Sequence, residues 1–224
     1  MTFEGIRLRF QKIIRVGFSK GRYKKLVNKN FTIISNNCWG GMIYESYCLQ
    51  KQTPTVGLFI MPTDYLVFLE NLSLFLSSEA KLSFIKPSDS KWLSFLANQK
   101  SFGTYPVGVL QISKNSAPIQ IELFFMHYST ASEAKEKWER RTQRVNWDRL
   151  LIKFDDQNGC TLKEIEEFDK LPYRNKVFFS SRPYEKLQSV VFVKRAFRYG
   201  FVPTSLEPFG RTKIFDTNKV INSL

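Results

Sequence analysis

A chain of 224 residues with 15% aromatic side chains has the apolar mass for one full core, and it is too aromatic to be disordered over most of its length. Its net charge of +14 calls for an anionic partner: nucleic acid, an acidic membrane surface or a phosphorylated sugar. Three cysteines without regular spacing exclude a disulfide framework and fit a reducing cytosol.

Residues 1–30 carry nine Lys and Arg against the single acid Glu4. Phe3, Ile6, Phe10, Ile13, Ile14 and Phe18 recur at helical steps, so they predict a basic amphipathic helix, weakened by Gly5, Gly17 and Gly21. Such a helix either lies in a membrane interface, its cations drawn to anionic lipid, or packs its apolar stripe on the domain with a solvated basic back. The second is the expectation here. The N-terminus lacks the apolar core and cleavage site of a signal peptide, and no apolar run is long enough to span a bilayer. The sequence therefore implies a cytoplasmic protein, peripheral at most on the inner face of the membrane.

Phe31 to Ile34 reads as a short buried strand, followed by Ser35, Asn36, Asn37, Cys38, Trp39, Gly40 and Gly41 and then a helical pattern. In open α/β sheets ligands sit outside the carboxyl ends of strands. There the two Asn amides and the glycine backbone are candidates to bind substrate, with Ser35 and Trp39 beside them. The alternative is that Asn-Asn caps the helix and Gly-Gly shapes the turn. The pattern is not a dinucleotide or phosphate-loop fingerprint.

Val56 to Ile60 is a second apolar run, after which a helix is predicted from Thr63 to about Ser77, with Asp64 as a helix-start carboxylate or a site acid. Leu82–Ile85 is a short strand and residues 88–97 a brief helix. Tyr105–Ile112 and Ile119–Met126 form a hairpin, expected to join a parallel sheet.

His127, the one histidine, lies between that second strand and a helix whose start is marked by Thr130 and Glu133. An imidazole near a helix N-terminus tends to stay neutral, the form a general base needs; the alternative is a backbone-bonded histidine at a strand end. One histidine with scattered cysteines does not suit a zinc site, and no metal or cofactor is assigned. On the following helix, Arg141, with Arg144 and Asn146 beyond it, offers donors for phosphate or carboxylate, although Arg near a helix C-terminus is also favourable in itself. Leu150–Phe154 is a strand ending at Asp155 and Asp156. Asp155 is the candidate site acid, and Asp156 is expected in a solvated turn. Thr161 and Glu164 then cap a helix over 162–169, and Asn175–Ser180 is a further strand. Val190–Val193 reads as an edge strand, before a Pro- and Gly-containing wrap.

The string Ile34-Ser-Asn-Asn-Cys-Trp-Gly-Gly41 resembles a bacterial family of exopolysaccharide or capsule biosynthesis proteins. Matches continue through Thr53–Phe59, Asp64-Tyr65, Tyr105–Gly108, His127-Tyr128, Lys137-Trp138, Arg141, Arg144, Asn146 and Lys153–Asp155. The resemblance implies a setting in sugar-polymer assembly. It does not name a reaction.

These readings predict one α/β domain in three layers with a mixed, mostly parallel sheet, a basic arm at 1–30, a core at 31–182 and a C-terminal extension at 183–224. The expected function is a transferase on an activated or lipid-linked sugar. His127 would act as base, Asn36 and Asn37 would orient substrate, and Arg141 and Arg144 would hold phosphate, with a Cys38 nucleophile as a variant. The alternatives are a non-catalytic adaptor for glycolipid or anionic membrane and a nucleic-acid binder, the latter without any recognised reader motif.

Overall fold

In a computed structural model of the chain, residues 3–99 and 101–224 are described; the side chain of Phe3 lies outside the described ones. The elements are α1 (Phe3–Gly17), α2 (Ser19–Lys24), β1 (Thr32–Ser35), α3 (Trp39–Ser46), α4 (Pro62–Glu70), α5 (Leu72–Phe75), β2 (Lys81–Ile85), α6 (Leu93–Leu96), β3 (Val107–Lys114), β4 (Ala117–Phe124), α7 (Ala131–Thr142), β5 (Leu150–Asp155), α8 (Leu162–Lys170), β6 (Lys176–Ser180), β7 (Val190–Phe192) and α9 (Thr217–Asn222). Among the described residues, no helix is long and apolar enough to cross a membrane.

The architecture is α/β, with the strands divided between two sheets. One is fully parallel in the order β1-β5-β6-β7, and the other antiparallel in the order β2-β3-β4. The hairpin therefore does not extend the parallel sheet. The free edge of β1 is already covered, because Thr32 Oγ1 donates to Gln52 O (3.0 Å) and Ser35 N donates to Thr55 Oγ1 (3.2 Å). Residues 59 and 60 link the two sheets. Phe59 exchanges a pair of 3.0 Å backbone bonds with Phe124, and Ile60 N donates to Asn36 O at 2.9 Å.

Local chemistry accounts for most boundaries. Pro62 opens α4, where its missing N–H costs nothing. Asn115 and Ser116 form a two-residue hairpin loop with φ of 52° and 65°, the sense that matches strand twist. Thr130 Oγ1 accepts from Glu133 N at 3.2 Å at the start of α7, and Thr161 N donates to the Glu164 carboxylate at 2.9 Å at the start of α8. The helix expected through Ser77 breaks at Asn71, whose amide donates back to Val67 O at 3.0 Å.

Alternation along the parallel strands creates the layers. Ile34, Ile152, Phe154 and Phe178 pack on one face with Tyr65 and Phe68 of α4, Trp138 of α7 and Phe168 of α8. Ile33, Leu151, Val177 and Phe179 pack on the other with Trp39, Ile43 and Tyr44 of α3. Residues 183–224 supply Val193, Ala196, Val202, Phe215 and Ile221 to that second core.

The helix α1 reverses the expected packing. Its inward residues are Glu4, Leu8, Gln11 and Arg15, at steps of four, three and four. Glu4 accepts from Ser205 N (2.9 Å) and Oγ (2.6 Å), and Gln11 donates to Ser205 O (2.6 Å). Residues two apart on a helix point to nearly opposite sides, so Ile6, Phe10 and Ile13 face outward and are exposed. The helix is anchored by polar bonds because its packing face is polar.

Candidate functional site

The carboxyl ends of β1 and β5 meet in a closed polar centre. Lys153 follows Leu151 on one face of β5 and is fully buried, as is Asp155 two residues on. The Lys153 ammonium donates to Asp155 Oδ2 (2.5 Å), Asn37 Oδ1 (3.1 Å), Asn36 Oδ1 (3.4 Å) and the carboxylate of Glu207. Asn36 Nδ2 donates to Asp155 Oδ1 (3.0 Å). Asn37 Nδ2 donates to Asp155 Oδ2 (2.7 Å) and Glu207 Oε1 (3.0 Å). Glu207 Oε2 is buried with no hydrogen-bond partner among the described residues.

One buried cation thus faces two carboxyls, and the proton settles the imbalance. Burial pushes the Glu207 carboxyl up to about 8; Lys153 pulls it down and Asp155 adds to the rise. Burial also opposes the charge of Asp155, but Lys153 and the hydrogen bonds around it win and hold it below the usual aspartate range. The centre is neutral when Lys153 and Asp155 are charged and Glu207 keeps its proton.

Beside this centre opens a cleft of about 630 Å³. Asn37, Cys38 and Gly41 line one wall, Val56, Gly57, His127 and Tyr128 another, and the inward face of α1 a third. Its charge is one-sided: among the described residues, Arg9, Lys12, Arg15, Lys51, Lys137 and Arg141 line it, against Glu45 alone. Glu45 pairs with Lys12 (3.4 Å) and Arg15 (3.9 Å). Lys137 pairs with Glu133, and Arg141 donates to Tyr128 OH at 2.5 Å. Lys51 makes no ion pair among the described residues. Burial lowers its pKa, and Arg141, Lys12 and Lys137 lower it further against the pull of Glu45. The cations repel one another, and an anion between them would relieve that repulsion.

His127 sits exposed at the rim, its backbone N–H donating to Gly57 O at 3.0 Å. Loss of hydration in the cleft, with Lys51 nearby, lowers its pKa, so the imidazole is neutral at physiological pH. Gly57 has φ of +75°, and a Cβ there would lie 3.1 Å from the Tyr128 ring and 3.3 Å from His127 Cβ. The close approach of these two strands of chain needs a glycine.

The structure brings together Asn36, Asn37, Cys38, Gly41, His127, Arg141 and Asp155, but in two settings. Asn37, Cys38, Gly41, His127 and Arg141 line the cleft, whereas Asn36 and Asp155 lie in the closed centre behind it. Arg141 reaches the cleft because side chains on a helix lean toward its N-terminus, here toward Tyr128. Arg144 and Asn146 do not join it. Asn146 N donates to Thr32 Oγ1 (2.8 Å) and its side chain to Asn30 O (3.0 Å), at the opposite end of the parallel sheet. Trp39 is buried among Phe179 and Phe215 with Nε1 donating to Pro208 O at 2.8 Å, so it builds core rather than touching a ligand. Ser35 Oγ donates to Asn37 O (2.7 Å) and accepts from Gly40 N (3.2 Å); both residues shape the turn.

Burial raises the Cys38 thiol to about 12, with Glu207 adding to the rise, which removes the thiolate a nucleophile requires. Asp64 is buried and accepts from Lys91 Nζ (2.6 Å), Trp92 Nε1 (3.0 Å) and Glu122 N (2.9 Å), tying α4 to the antiparallel sheet. Asp156 is not solvated: it accepts from Ser181 N and Val202 N, both at 2.6 Å. Ser180 and Ser181 stay buried there, and Arg182 stacks on Phe197 at 4.3 Å, away from the cleft.

Residues 9–208 match the profile of a family described as a domain of unknown function (DUF1919). The chain belongs to that family. An uncharacterized protein of Haemophilus influenzae is 34% identical over 192 residues, covering 86% of this chain and 82% of its own length. The DUF1919 span runs from Arg9 to Pro208, so it includes most of α1 and reaches Glu207 of the buried centre.

Within this DUF1919 domain, sequence reasoning missed Lys51 and Glu207 as parts of the site. Lys153 carried a signal, since one lysine inside the apolar strand Leu150–Phe154 demands a buried carboxylate partner. Glu207 carried none: it sits in an irregular stretch, and only the fold brings it to β5.

Proposed function

We propose that the cleft binds a phosphate-bearing sugar donor, nucleotide-activated or lipid-linked, and that the protein is a transferase of exopolysaccharide or capsule assembly. The observation that carries this reading is that, among the described residues, six cations and one carboxylate line a cleft at the carboxyl ends of β1 and β5. The sequence resemblance supports the sugar-polymer setting. Lys51 and Arg141 hold the phosphate, with Lys137 behind them, and Asn37 lines the wall beside them while its side-chain amide stays bonded in the closed centre. An acceptor hydroxyl attacks the anomeric carbon as the bond to phosphate breaks. Its proton passes to the neutral His127 imidazole, and the cations take up the charge left on the phosphate.

Isothermal titration with nucleotide sugars and polyprenyl-phosphate analogues tests the reading. Lys51→Ala is expected to weaken binding by about tenfold to a hundredfold, the range for one charge-assisted bond. His127→Ala should keep binding and lose turnover. Absence of binding by every phosphorylated sugar, or indifference to Lys51→Ala, refutes it. A binding-only adaptor is the second reading, favoured by the exposed apolar face of α1. In that case His127→Ala leaves cellular function intact.

A further inference from the structure

Among the described residues, the outward face of α1 is left exposed. Ile6, Phe10 and Ile13 follow one another at steps of four and three, and Phe10 and Ile13 are 64% and 71% exposed. Val16, still in α1, and Phe18, Tyr23 and Val27 beyond its end are exposed as well. Among the described residues, seven large apolar side chains are exposed within the first 27 positions, a concentration rather than single scattered exceptions.

The charges around this stripe choose the occupant. Lys20, Lys24 and Lys25 are exposed and make no ion pair among the described residues. A second copy of this chain would bring the same cations face to face on a molecule already at +14. An anionic lipid surface satisfies both features at once, since phosphate headgroups meet the cations and the acyl boundary receives the apolar side chains.

We infer that α1 is an in-plane membrane anchor whose outward face docks on an anionic phospholipid surface, with Ile6, Phe10 and Ile13 entering the headgroup–acyl boundary. The opposite face of the same helix contributes Leu8, Lys12 and Arg15 to the cleft wall. Docking therefore sets the cleft beside the membrane. Resting on the transferase reading, this makes a lipid-linked donor the substrate within reach; the anchoring itself is independent of that reading.

The test is co-sedimentation of the full chain with vesicles of phosphatidylcholine, alone and mixed with phosphatidylglycerol. Wild type is expected to bind the mixed vesicles, to release as salt is raised, and to ignore pure phosphatidylcholine. The double change Phe10→Ser with Ile13→Ser should lower partitioning by about tenfold or more, and both positions are solvent-facing, so the thermal midpoint serves as the check on folding. Replacing Lys20, Lys24 and Lys25 by Ala should weaken binding without touching the stripe. Lys51→Ala should leave vesicle binding unchanged, which separates a failure of the cleft reading from a failure of this one. No binding to mixed vesicles, binding indifferent to the double change, or a dimer that the double change dissolves would each overturn the inference.

Discussion

Replacing Glu207 by Gln removes one ionisable group from the buried centre and keeps an acceptor for Lys153 and Asn37. The wild-type carboxyl has a reference value of 4.5 and is raised by burial to about 8 in the folded protein. Between those values the folded state holds a proton that the unfolded chain has lost, so stability falls as pH rises through the window. Each unit of separation is about 1.36 kcal/mol, so from pH ~5 to ~8 the wild type should lose on the order of 3 kcal/mol relative to Glu207→Gln. Asp155 works in the opposite sense. Its depressed pKa gives stability that is present above the unfolded value and lost as pH falls through the folded one, below this window. Urea unfolding of both proteins at three pH values within that window measures the difference directly. A difference that stays constant across the window would show that Glu207 is ionised in the fold and that the charge balance argued above is wrong.

Two further outcomes follow from burial and packing. At mildly alkaline pH, iodoacetamide should label the exposed Cys48 quickly, and Cys38 at least about a hundredfold more slowly than in the denatured chain, because its thiol stays protonated; rapid labelling of Cys38 would reopen its candidacy as a nucleophile. A Cβ at Gly40 would lie 2.9 Å from Ser35 Oγ and 3.2 Å from Ile33 Cγ2, so Gly40→Ala should cost about 1–3 kcal/mol in urea unfolding. Gly17→Ala meets nothing within 4 Å among the described residues and serves as the contrast, and equal stability of the two variants would contradict the tight turn.

What the sequence disclosed depends on how local each cause is. Helix starts at Thr130 and Thr161 were legible because their partners lie three residues away. The strands β1, β5 and β6 were legible from apolar runs, and their parallel pairing followed from alternation with helices. The separate antiparallel sheet was not, since nothing near the hairpin says that Thr55 and Gln52 already cover the edge of β1. The inverted α1 was misread for a physical reason. An apolar stripe normally marks the packing face, but here Glu4 and Gln11 form bonds to Ser205 that no local pattern announces. In the candidate site, residues at strand ends were found by position, whereas Lys51, Lys12 and Arg15 became part of it only through loop and helix placement.

The buried centre joins residues far apart along the chain: Asn37 and Glu207 are separated by 170 positions, Lys153 and Glu207 by 54. As the polypeptide leaves the ribosome, β1, β5 and the first core can gather while Lys153 has Asn36, Asn37 and a single carboxylate, Asp155, around it. The final polar contact waits for residue 207, and Ser205, which ties down α1, arrives at nearly the same moment. Closing such distant contacts is slow relative to local structure. The stretch around Ser205 and Glu207 thus completes both the charge balance and one wall of the cleft, so a nascent chain lacking it has the sheet but no finished site.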